Sequence, residues 1–292
     1  MAPTIPVLFV LIFVAGVSAA LFHVPSPVLV RESSGDKVGT GMSLFMVGGE
    51  LARTLGPLLV TTAVSLWSLE GIFRLIPIGV AASVVLWFKL RDLDVQRNVS
   101  GTKERGDTRA ILKRYAPFFV VLSAFLLFQS VMKSALTLYL PLYLTERGAG
   151  LWLAGASLSI LQFFGVAGTF ASGTLSDRFG RTRTLLTASV GSIGAMGLFL
   201  ATHHVAFLAL TGLFLFSTGP VLLAMVQETD SPMPTFMNSM YMAVSFGGGS
   251  VAVFLLGLMG DLIGLEKTYI ASVFIAMGTI PMALLLPRFV KR

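Results

Sequence analysis

The 292-residue chain is 55% hydrophobic and only 12% charged, with a formal net charge of +7, whereas an ordinary soluble domain carries about 25% charged residues. A water-soluble fold of this size could not hide so much apolar surface, and the 30 Gly and 13 Pro suit membrane helices, where both are more frequent than in soluble ones. With no cysteine, a disulfide framework and a thiolate metal site are excluded. The sequence calls for no cofactor or metal, and the positive charge reads as a record of membrane orientation rather than as a nucleic-acid footprint.

Apolar runs of about 20 residues, enough to cross a hydrocarbon core of roughly 30 Å as helix, recur nine times. The predicted spans are Ile5 to Phe22, Gly41 to Trp67, Ile72 to Leu90, Pro117 to Leu142, Leu151 to Gly173, Leu185 to Ala201, Val205 to Val226, Phe236 to Gly260 and Tyr269 to Leu286. The expected fold is therefore an all-α polytopic membrane protein whose first partner is the lipid bilayer. The first span has no basic residue before Arg31, and although its end at Val17-Ser18-Ala19-Ala20 looks like a signal-peptide cleavage site, the positive n-region is lacking. The expectation is a chain that lacks upstream helices which would orient this span, and His23 closes it with an imidazole suited to proton handling or to a structural hydrogen bond.

The second span carries Gly48, Gly49, Glu50, Arg53, Gly56 and Pro57. A charge at the bilayer centre costs at least about 2.5–3.5 kcal/mol, so ionisable groups there face a partner or a watery cavity. Glu50 and Arg53 lie three apart and share a helix face; they read either as a substrate and proton site or as a self-neutralised pair that fixes packing. The glycines and Pro57 read as a hinge or packing device. After the third span, the polar stretch 91–115 reads as a flexible cytoplasmic linker. It divides the chain into residues 1–90, with three spans, and residues 116–292, with six; groups of three are what transporters built from three-helix repeats show.

Lys133, in the fourth span, either joins the charged site or snorkels toward the outer surface. His203-His204 falls in a short outer loop and is expected to be solvated. Gln227-Glu228 ends the seventh span, where Glu228 can pair with nearby arginines, and Gly247, Gly248, Gly249 and Gly257 in the eighth span favour packing. Sixteen of the 21 basic residues fall on one set of alternating connections, which makes that side cytoplasmic, together with the C-terminus. The expected location is the cell (inner) membrane.

Between the fifth and sixth spans lies Gly173-Thr-Leu-Ser-Asp177-Arg178-Phe-Gly180-Arg181-Thr-Arg183. Gly173 and Gly180 allow tight backbone passage, Asp177 can meet the positive N-terminus of a neighbouring helix, and the arginines can pair with carboxylates. The segment resembles the cytoplasmic loop signature of the major facilitator superfamily, G-x-x-x-D-R-x-G-R-K/R-K/R, departing at Thr182. Phe22-His23, Val47-Gly48-Gly49, Leu55-Gly56-Pro57-Leu58-Leu59, Gln227-Glu228 and the run from Phe246-Gly247 through Gly249, Gly257 and Asp261 are similar to the fosmidomycin resistance branch of drug efflux proteins. Two departures stand out: Val24 precedes Pro25 where the branch has His-Pro, and Glu50 stands where an amide is usual.

The resemblance implies a partial major facilitator fold, with the nine spans equivalent to helices 4 to 12, and places Asp177 against the start of the second span, near Gly39 to Ser43, where the loop latches the two halves. It further implies a proton-coupled exporter of a small, anionic or zwitterionic organic compound, with Glu50, Arg53, Lys133 and His23 as candidate substrate and proton groups. The alternatives are an importer on the same fold or a truncated fragment that does not transport by itself. An enzyme is not expected, because no H-E-x-x-H, G-x-S-x-G or phosphate-binding glycine loop occurs.

Overall fold

The computed structural model describes residues 4–91, 107–229 and 231–290. Among them the regular structure is wholly helical: α1 (Ile5–His23), α2 (Ser26–Ser34), α3 (Val38–Trp67), a 3₁₀ segment (Leu69–Leu75), α4 (Ile76–Leu90), α5 (Thr108–Leu138), α6 (Leu140–Glu146), α7 (Leu151–Phe179), α8 (Arg181–Thr202), α9 (Val205–Gln227), α10 (Pro234–Ile263), α11 (Leu265–Ala276), α12 (Thr279–Leu285) and α13 (Pro287–Val290). Nine stretches of the described residues are long and apolar enough to cross a membrane. Helix is the expected solution, since every backbone polar group within lipid must be satisfied internally.

The helices overrun the apolar runs that reveal them. Asp107 caps α5 by accepting a hydrogen bond from the Arg109 N–H at 2.9 Å, so residues 108–115 of the expected linker are helical and Pro117 lies inside the helix. Residues 92–106 of that linker lie outside the described residues. The expected last span is interrupted between α11 and α12, and Gly278 sits at the interruption, where an added Cβ would stand 2.6 Å from the Phe128 ring.

The chain divides into two compact units, residues 1–22 with 51–105 and residues 23–50 with 106–292. The first holds α1, the second half of α3, the 3₁₀ segment and α4. Its helices expose large apolar side chains along their length, among them Phe9, Phe13, Leu58 and Trp87. The 3₁₀ segment follows Ser68, at φ +60°, and Arg74 places its guanidinium 5.5 Å from the centre of the Trp67 ring.

The second unit contains the packed core. One cluster gathers Met42, Phe118, Phe125, Leu222 and Tyr241; another gathers Met132, Leu136, Leu161, Phe199 and Tyr269. Helices α7 and α9 touch backbone to backbone: a Cβ on Gly168 would collide with the Leu213 carbonyl, and one on Gly212 with the Leu161 carbonyl. Small residues permit such approaches where lipid supplies no hydrophobic drive between helices.

Prolines in this unit leave carbonyls that neighbouring helices satisfy. Pro220, inside α9, has no N–H for the Phe216 carbonyl four residues earlier, and that carbonyl accepts from the Thr169 hydroxyl on α7 at 3.3 Å. Pro27, in the first turn of α2, cannot serve the His23 carbonyl. Asn238 on α10 donates to it at 3.1 Å and to the Val24 carbonyl at 2.7 Å.

Candidate functional site

Two charged clusters form in the second unit. The first is built where α7 gives way to α8. Gly180 joins them at φ +93°, a conformation open to glycine at no steric cost, and the turn sets Asp177 and Arg181 side by side. Asp177 accepts from the Gly39 N–H at 2.9 Å, the Thr40 N–H at 2.8 Å and the Thr40 hydroxyl at 2.7 Å. These are first-turn N–H groups of α3, which have no partner within their own helix, and the positive helix end favours the carboxylate.

Arg181 occupies the other side of the carboxylate, its Nη1 being 2.7 Å from Asp177 Oδ1. The same guanidinium forks onto Glu228, with Nε to Oε2 at 3.1 Å and Nη2 to Oε1 at 2.5 Å. A bidentate guanidinium–carboxylate contact is among the stronger polar contacts a protein makes. Two glycines make room for it. A Cβ at Gly39 would lie 2.7 Å from Asp177 Oδ1, and one at Gly173 would strike the Gly39 carbonyl. Gly173 therefore serves helix-to-helix approach rather than the loop. Arg178 and Arg183 are exposed, and Arg178 lies 5.4 Å over the Phe179 ring.

The second cluster lies within the spans. Glu50, 4% exposed, holds its carboxylate 4.0 Å from Lys133 Nζ. That ammonium sits 4.4 Å from the centre of the Phe216 ring, a cation–π distance. Nearby on α5, Gln129 donates to the Leu215 carbonyl at 3.0 Å and to the Thr218 hydroxyl. Of the charged residues predicted within spans, the structure brings Glu50 and Lys133 together; the Arg53 side chain is exposed. His23 is half-buried, with its ring edge-on to Phe45 at 6.3 Å.

At Gly48, Gly49, Gly56, Gly247 and Gly249 an added Cβ would meet no described atom within 4 Å. Pro57 lies within α3, and its side chain is outside the described residues. The close approaches fall at other glycines, among them 39, 165, 168, 173, 212 and 278. At the far end of the unit, His204 is not merely solvated: its Nδ1 caps α9 by accepting from the Ala206 N–H at 3.2 Å. His203 meets Arg147 at 2.7 Å, and Arg147 also pairs with Glu266. Sequence reasoning missed Thr40, Phe216 and Asn238. Only Thr40 left a trace, since it falls within Gly39 to Ser43, where Asp177 was expected.

Residues 1–253 match the family model described as the Major Facilitator Superfamily. The chain is 25% identical over 295 aligned positions to an uncharacterized MFS-type transporter, YfnC, of Bacillus subtilis (strain 168), a match covering 98% of this chain and 72% of that protein. It is also 25% identical over 270 positions to the fosmidomycin resistance protein of Escherichia coli (strain K12), covering 90% of this chain and 66% of that protein.

Proposed function

This chain belongs to the major facilitator superfamily, whose members it matches are transporters rather than enzymes, and from that premise we propose that it works in proton-coupled export of a small organic compound by alternating access. The observation that carries the reading is the Glu50 carboxylate, buried and only 4.0 Å from the Lys133 ammonium. At that separation the two charges attract without a full hydrogen bond, so the pair can be exchanged. A zwitterionic substrate entering beside Phe216 takes over both partners, its anionic group meeting the Lys133 ammonium and its cationic group the Glu50 carboxylate, so that a proton held by Glu50 is given up on the cytoplasmic side. Release of the substrate outside lets Glu50 take up a proton there, so solute and proton occupy the site in turn and move in opposite directions.

Export is favoured by the resistance relative. Residues 1–90 are assigned to the C-terminal part of the N-terminal half, 91–115 to the connecting linker and 116–292 to the C-terminal half, in an inner membrane with the C-terminus cytoplasmic. Arg53 and His23 are assigned to the solute path. The Asp177–Arg181–Glu228 cluster acts as the cytoplasmic latch, holding the start of α3 while the opposite side is open.

The test is uptake by everted membrane vesicles containing the protein, energised by an imposed pH gradient. Glu50→Gln should lower gradient-driven transport about tenfold or more, the range ordinarily supplied by a positioned proton-transfer group. Transport by Glu50→Gln with an unchanged pH profile would reduce the Glu50–Lys133 pair to a packing device. Uptake by right-side-out vesicles instead of everted ones would reverse the direction to import.

A further inference from the structure

We infer that Asn238 is a positioning residue that clasps the proline-broken start of α2 to α10, and that parting of this clasp is a gating step. This builds on the alternating-access reading. The α1–α2 junction is a helix interrupted by Pro25 and Pro27. Pro27 has no N–H to offer the His23 carbonyl, and the Val28 N–H, the usual donor for Val24, bonds to the Pro25 carbonyl at 3.1 Å instead. Two consecutive carbonyls are thereby left without helical donors. Both are served by one amide, Asn238 Nδ2, at 3.1 Å and 2.7 Å, from a residue with no exposed surface.

This differs from the other proline-released carbonyl of the unit. Phe216 is served by Thr169 across the α7–α9 contact, where glycines lock the two backbones together. At the α2–α10 contact the Oδ1 of the same Asn238 amide has no hydrogen-bond partner among the described residues. A buried acceptor left unpaired costs about 1–3 kcal/mol, which offsets part of what the two Nδ2 bonds contribute. When α2 and α10 separate, water takes the place of Nδ2 on the two carbonyls and reaches Oδ1 as well. The helix break thus makes the junction separable, and Asn238 sets how often it separates.

The absence of cysteine allows a direct test in the full chain, reconstituted in lipid nanodiscs. Val28→Cys places a single thiol at a position that is 6% exposed, and its reaction rate with a water-soluble maleimide reports opening without any transported solute. Failure to find a substrate would therefore leave this test intact. Asn238→Leu, which keeps the branched shape and removes the donors, should raise the labelling rate roughly tenfold, the size expected for leaving a buried carbonyl unpaired. Adding Pro27→Ala restores a backbone donor to His23 and should recover about half of that effect on a logarithmic scale, as a double-mutant cycle reads it.

Should Asn238→Leu fail to give monodisperse protein, Asn238→Asp replaces the amide at constant size and carries the same expectation. Labelling of a folded variant within twofold of the Val28→Cys parent overturns the proposal, as does a Pro27→Ala addition that leaves the rate of the Asn238 variant unchanged. If neither Asn238 variant folds with or without Pro27→Ala, Asn238 is a fixed element of the fold and the gating role is likewise overturned.

Discussion

At the α7–α8 turn, Asp177, Arg181 and Glu228 are drawn together through contacts of 2.5–3.1 Å, with two helix-terminal N–H groups and a hydroxyl added. Inside the spans, Glu50 and Lys133 face each other at 4.0 Å. The chemistry is the same and the geometry is not. Taking ions out of water costs several kcal/mol each, and attraction repays it only where geometry is good and the remaining donors and acceptors are satisfied. The turn cluster meets that condition. The Glu50–Lys133 contact is longer than any of its contacts, and on the proposed reading it is the contact that a substrate exchanges. On that reading geometry, rather than the presence of charge, separates the contact that holds from the one that exchanges.

The largest test of that contrast is Asp177→Ala. It removes the acceptor of three hydrogen bonds and leaves Arg181 half-compensated, and should cost roughly 4 kcal/mol, measured by thermal unfolding of detergent-solubilised protein. A loss below about 1 kcal/mol would place the turn cluster with the longer Glu50–Lys133 contact and erase the distinction. Next comes a double-mutant cycle at the pair. Glu50→Gln and Lys133→Met should each cost about 2 kcal/mol, less than a tight buried pair would, and the double variant should fall short of their sum by about 1 kcal/mol. A coupling above about 3 kcal/mol would make this pair as firm as the turn cluster. The smallest effect belongs to Arg147→Gln, at an exposed contact in which Glu266 is 64% accessible. About 0.5 kcal/mol is expected, shrinking toward zero in roughly 1 M salt as charges are screened.

The spans themselves were readable because hydropathy needs no partner. Nine apolar runs were expected to cross, and nine stretches of the described residues are long and apolar enough to do so, with errors at the ends. Thr108–Arg114 and Thr174–Phe179 are polar or mixed yet helical, since a helix that leaves the apolar layer keeps its own backbone bonds. Helix α2 escaped notice because Arg31, Glu32 and two serines interrupt its apolar character. Within the sites, residues whose local pattern carries meaning were legible: Asp177 was expected at the start of α3 and lies there, and Glu228 was expected to meet a loop arginine and meets Arg181. Asn238 was not legible. Pro27 announces an unsatisfied carbonyl, but which side chain among 292 residues supplies the donor depends on helix packing, to which spacing along the chain is blind. The glycines illustrate the same limit: runs such as Gly247–Gly249 attract the eye, whereas single glycines at 168 and 212 make the backbone contacts.

That reciprocal contact has a mechanical consequence. Each of α7 and α9 lodges a carbonyl against the other's missing side chain, at two levels separated along the helix, so neither can slide or roll past the other without driving oxygen into backbone. The two form a single strut. With 29 residues in α7, about 44 Å at 1.5 Å per residue, the strut reaches from Asp177 near one tip to the opposite end of the helix.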